Sequence, residues 1–132
     1  MIGRVSIEQG YVLLEHEHVS DLDQVLQRIR AAKELFASGA PHRLLVDARY
    51  YIPTWSKEQA PIIAMSVLEA FPADLRIAVM VKEPSTLEAV KPIMERLVAK
   101  GIVLNRFSSR EEALEWLFDD AATGLAAPQA RP

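Results

Sequence analysis

The chain has no cysteine among its 132 residues, which excludes disulfides, thiolate metal sites and cysteine redox chemistry. Glycine is sparse, five in all and never clustered, so no glycine-rich loop is present to cradle a phosphate. Positive charge is not in excess: 15 Lys and Arg stand against 18 Asp and Glu, a net charge of −3. No basic field therefore draws the chain to nucleic acid or to an anionic membrane. No run approaches the ~20 apolar residues of a membrane span, and the opening MIGRVSIEQG has no apolar signal core. A cytoplasmic location is the expectation. No Ser-His-Asp or Cys-His arrangement can be read, and no cofactor is expected. Aromatic residues are few, nine in all, yet Tyr50, Tyr51 and Trp55 crowd into one short stretch, LLVDARYYIPTWSKEQ.

What is present suits an ordinary globular domain: half the residues are hydrophobic and a quarter charged. The expected division is one domain over residues 1–120 and a flexible tail over 121–132, where core-forming side chains run out. The segments IGRVSIEQ and YVLLEHEHV read as a hairpin about Gln9-Gly10. Ser20 with Asp23 reads as the cap of a helix whose apolar residues Leu22, Val25, Leu26, Ile29, Ala32 and Phe36 recur at helical spacing. HRLLVDA is a short strand, followed by the aromatic connection and a helix from Ser56 to Phe71. LRIAVMV is continuously apolar, as a parallel strand covered on both faces would be. Ser85 with Glu88 opens the next helix, which Pro92 is expected to kink or divide. IVLNRF is the last strand, and Ser109 with Glu112 caps the last helix. The order β-β-α-β-α-β-α-β-α predicts a single α/β domain with a mixed, mostly parallel central sheet flanked by helices.

This order, with RLLVDARYYIPTWSKEQAPIIA and the ending FSSREEALEWL, resembles the STAS domain family, and within it the SpoIIAA-like branch named for bacterial anti-sigma-factor antagonists. The resemblance spans roughly residues 3 to 118 on topology. It implies a small binding or regulatory module, not an enzyme. Some members are switched by phosphorylation of a serine or threonine at the start of the second helix, and others bind small or lipid-like ligands. Thr54 and Ser56 lie in that region. The family's switch is an Asp-Ser pair followed by small residues, where this chain has Trp55 in the acid's place and Lys57 after Ser56. Ser56 with Gln59 also reads as a simple capping box.

The carboxyl ends of parallel strands are where such sheets present ligands, and residues 47–65 lie at one. Tyr50, Tyr51 and Trp55 are expected to form an exposed contact platform, with Asp47 and Arg49 orienting a polar group. Ile62 and Met65 fall off the apolar face formed by Ala60, Ile63, Ala64, Val67, Leu68 and Phe71, and extend that surface. The expected partner is a protein or a second copy of the chain. The alternative is a pocket under the same loop for a small apolar or anionic ligand, anions being received by helix amides near Ser56. Arg49 or Arg76 would suit an anion, and Asp47 is the one local candidate for a general acid or base. His16 and His18 share one strand face, yet with no further ligand nearby the expectation is a solvated strand end and no metal.

Overall fold

The computed structural model describes residues 3–119, without the side chains of residues 17–19; the expected tail at 121–132 lies outside the described residues. Strands β1 (Gly3–Ile7) and β2 (Val12–Ser20) pair antiparallel. The turn between them depends on Gly10, whose φ of +88° disfavours any residue with a side chain. A Cβ there would also stand 3.0 Å from the Phe118 ring. Gly10→Ala is expected to lower unfolding free energy by about 1–2 kcal/mol, read from urea denaturation.

Helix α1 (Leu22–Ala37) leads to β3 (Arg43–Pro53), and a three-residue 3₁₀ turn (Lys57–Gln59) leads into α2 (Ala60–Ala70). Then follow β4 (Arg76–Met80), α3 (Pro84–Ala99), β5 (Val103–Phe107) and α4 (Arg110–Leu117). The sheet runs β1-β2-β3-β4-β5, with every pair after the hairpin parallel. Because each strand lies beside its predecessor, right-handed crossovers place α1, α2 and α3 on one face, where α2 packs between the other two. Helix α4 covers the opposite face against β3, β4 and β5. Strand alternation serves both cores. Leu14, Leu44, Ile77 and Val79 face the three helices, while Leu13, Leu45, Ala78 and Met80 face Ala113 and Leu117 of α4.

Four local expectations are corrected. The cap of α1 is Asp21, whose carboxylate accepts from Gln24 N while Gln24 Oε1 accepts from Asp21 N. A capping box needs the longer Gln at its third position, which the Ser20–Asp23 frame lacks. Helix α3 starts after Glu83 at Pro84, whose fixed φ suits a first turn, so Ser85 is already helical. Pro92 does not divide α3, because Ile93, Met94 and Leu97 beyond it continue the buried face and hold the second half in place. The most consequential correction concerns β3. It does not stop at Ala48 but continues to Pro53, with residues 50–53 paired to residues 17–20 of β2.

Candidate functional site

The register of β2 and β3 passes from Glu15↔Asp47 to Glu17↔Tyr50, so β3 carries one extra residue there. Such a bulge re-aims everything after it. Leu44 and Ala48 face the three-helix side, and Tyr51, three residues on, faces that side too. Tyr50 and Ile52 are turned out, 65% and 59% exposed.

Tyr51 and Trp55 therefore belong to the core and not to an exposed platform; both are buried. Trp55 Nε1 donates to the Tyr51 hydroxyl at 2.6 Å, and the Tyr51 backbone carbonyl accepts from Thr86 Oγ1 at 2.8 Å. The Tyr51 ring stacks on His16, centroids 4.4 Å apart and 20° from parallel. His16 is likewise buried, not the solvated strand end expected, and its Nδ1 accepts from Arg28 Nη1 at 2.7 Å. Burial first, then the charge of Arg28, lowers the His16 pKa from 6.5 to about 3 against an opposing pull from Asp47. Arg28 escaped the sequence reading, although its signal is visible: it shares the helical phase of Val25, Ile29, Ala32 and Phe36, the buried stripe of α1.

Beneath this group lies a cavity of about 100 Å³ between the sheet and α1, α2 and α3. His16, Tyr51 and Trp55 line it, and the remaining wall is apolar, including Leu14, Ile29, Ile63 and Val67.

Asp47 and Arg49 are brought together, but to each other. Arg49 Nε and Nη2 donate to the two carboxylate oxygens at 3.0 and 2.9 Å, and Arg49 N also donates to Oδ1 at 3.2 Å. Burial alone would raise the Asp47 pKa, yet hydrogen bonds and charge from Arg49, with Arg110 adding, bring it below the usual carboxylate value. An ionised carboxylate in a bidentate pair has no proton to give at neutral pH. Arg49 also lies over the Tyr50 ring at 5.6 Å. Arg76 donates to the Trp116 carbonyl at 2.8 Å and covers its ring, tying α4 to the sheet.

Thr54 Oγ1 donates to the Ser20 carbonyl at 3.1 Å. Ser56 is exposed, and its backbone N–H donates to Gln59 Oε1 at 2.8 Å, which occupies one amide expected to receive an anion. Ile62 and Met65 are 45% and 59% exposed on the solvent side of α2. Tyr50 and Ile52 line a separate surface groove of about 510 Å³, closed on its far side by Glu83, Ser85, Thr86 and Ala89 at the start of α3. Among the described residues no three His, Asp or Glu side chains are placed to hold a metal ion, and the side chain of His18 lies outside the description. No helix among them is long and apolar enough to cross a membrane.

No family model matches the chain, and no curated protein matches it. Solved structures do. An uncharacterised protein of the DUF3478 family with a SpoIIAA-like fold, from Shewanella loihica PV-4, superposes with a TM-score of 0.63 at 14% identity, over 87% of this chain and 93% of that one. An anti-sigma factor antagonist from Mycobacterium paratuberculosis matches with a TM-score of 0.59 at 17% identity, over 89% and 93%. The anti-sigma factor antagonist SpoIIAA in its unphosphorylated form matches with a TM-score of 0.51 at 13% identity, over 86% and 94%. The five-stranded mixed sheet with its four helices is the SpoIIAA-like fold.

Proposed function

We propose that this chain is a non-catalytic binding and regulatory module whose partner is a protein, contacted through residues 50–65. One observation carries the reading. Six large apolar side chains are exposed among the described residues, and four of them, Tyr50, Ile52, Ile62 and Met65, fall in this one segment. Single exposed apolar residues are ordinary, but two on the end of β3 and two on α2 within sixteen residues are a denser group than elsewhere among the described residues, which supports a contact role for the segment. The interleaved residues Tyr51, Trp55 and Ile63 are buried, so the backbone that carries the exposed side chains is anchored to the core and need not be ordered on binding. The fold supports the reading, since two of the similar structures are anti-sigma factor antagonists by name, proteins that act on another protein. Of the two hydroxyls considered for modification both belong to exposed residues, but that of Thr54 is engaged with the Ser20 carbonyl, which favours Ser56. A phosphate there would add about two negative charges beside the contact segment and regulate docking.

The test is affinity capture from the native host, with the unaltered chain beside Tyr50→Ser and Met65→Asp. A partner that co-purifies with the unaltered chain should be lost about tenfold in each variant, the size of a single strong contact residue, while the melting temperature holds. Sedimentation of the purified chain identifies the case in which the partner is a second copy. An unchanged set of captured proteins, with no self-association to lose, would contradict the reading.

A further inference from the structure

The two edges of the sheet are finished differently. At β5 the edge is closed within the chain: Leu104 is only 1% exposed, and the Arg106 N–H donates to Asn105 Oδ1. At β1 it is open. Glu8 N donates to Tyr11 O across the hairpin turn, which fixes the phase of the ladder, so that Ser6↔Leu13 and Arg4↔Glu15 are its hydrogen-bonded pairs. The backbone N–H and C=O of Val5 and Ile7 therefore point away from β2, and no described strand lies beyond them. Their side chains do not guard this edge with charge. Val5 is half-buried against the three-helix core, and Ile7, on the same face, is 51% exposed. Helix α1 packs over β1. By helical phase Ala31 and Leu35 lie on the flank of α1 turned away from its groove with α2, which Leu26, Arg30 and Lys33 line.

We propose that β1 pairs antiparallel with β1 of a second copy of this chain, across a two-fold axis at Ser6. The side chains choose the register. Centred on Arg4, the pairing would set two guanidinium groups opposite each other; centred on Val5, it would leave Ile7 opposite Gly3. Centred on Ser6, it sets Val5 opposite Ile7 of the second copy on the α1 side of the sheet, an apolar pair made twice. On the other side Arg4 meets Glu8 of the second copy, also twice. Among the described residues Arg4 uses only Nε, on Glu15, and its side chain is 64% exposed, so its remaining donors are available to Glu8. The outward backbone groups of Val5 and Ile7 bond to each other across the axis, and the two α1 helices come alongside with Ala31 and Leu35 between them. Pairing consumes both β1 edges, so the assembly closes at two chains. It uses no residue of the segment 50–65, and neither reading depends on the other.

The experiment is sedimentation velocity of the purified full chain across a dilution series, which should show the mass rising from one chain to two with concentration. Ile7→Lys sets a charge on the edge at an exposed position and should leave monomer alone, with the melting temperature unchanged. Glu8→Arg opposes Arg4 of the second copy and should raise the dissociation constant about tenfold. Adding Arg4→Glu to Glu8→Arg exchanges the charges and should restore the dimer. The exchange also sets Glu15 beside a second carboxylate, so if the double variant melts early the two single variants decide. Tyr50→Ser and Met65→Asp should leave the dimer intact. A chain that stays monomeric throughout the series, a dimer that survives Ile7→Lys, or one lost with Met65→Asp would overturn the proposal.

Discussion

Lowering the pH from 6.5 towards 3 is expected to remove about 5 kcal/mol of stability through His16 alone. The folded chain holds this imidazole neutral, its pKa lowered from 6.5 to about 3 by burial and then by Arg28. The unfolded chain takes up a proton at the ordinary value. The stabilisation is therefore complete above pH 6.5 and is lost as the pH falls, by about 1.4 kcal/mol per unit, until the folded-state pKa is reached. Asp47, whose pKa is lowered by Arg49 despite burial, adds a loss of the same sign further into the acid range. His16→Asn separates the two, because its amide oxygen can still accept from Arg28 but does not titrate. Urea unfolding at pH 6.5, 5.5 and 4.5 should show a steep decline for the unaltered chain and a flatter one for the variant. Equal slopes would show that His16 is not held neutral.

Replacing Trp55 by alanine is expected to lower unfolding free energy by about 3–5 kcal/mol, the range for deleting a large buried aromatic. Trp55 is only 9% exposed and packs in the same core cluster as Tyr51, Ala60 and Ile63. Its removal would enlarge the cavity beneath it and strip the Tyr51 hydroxyl of the donor at 2.6 Å. Against a total stability of about 5–15 kcal/mol for a typical domain, that loss would leave a marginal fold. Chemical denaturation measures it directly. A change under about 1 kcal/mol is what a surface residue would show, and would return Trp55 to the contact face.

The same residue shows where the sequence could be read and where it could not. Element order was legible because each helix carries its own stripe, such as Val25, Ile29, Ala32 and Phe36, and because the short, continuously apolar LRIAVMV suits a strand covered on both faces. Ser109, whose side chain accepts from Glu112 N, was legible as a cap for the same local reason. The outward positions of Ile62 and Met65 followed from helical phase. The aromatic segment was not legible in this way. Whether Tyr50 or Tyr51 enters the core depends on one extra residue between Asp47 and Tyr50, and no local pattern in DARYYIP marks it. That β3 continues to Pro53 depends on β2 reaching Ser20 to pair with it, a contact more than 30 residues distant. His16 looked solvated for a related reason. Its neutralising environment is burial, in part under a tyrosine on another strand, and then Arg28 in the second turn of the following helix.

Tyr51, Trp55 and Ile63 of residues 50–65 are buried in the core, while on the proposed reading the exposed Tyr50, Ile52, Ile62 and Met65 are the side chains offered to a partner. The most direct test is site-specific photocrosslinking in the native host, with a photoreactive amino acid in place of Tyr50, of Met65, or of Lys100, an exposed residue far along the chain. The account predicts a discrete crosslinked protein from positions 50 and 65 and none from position 100. No product from either, or the same products from all three, would contradict it.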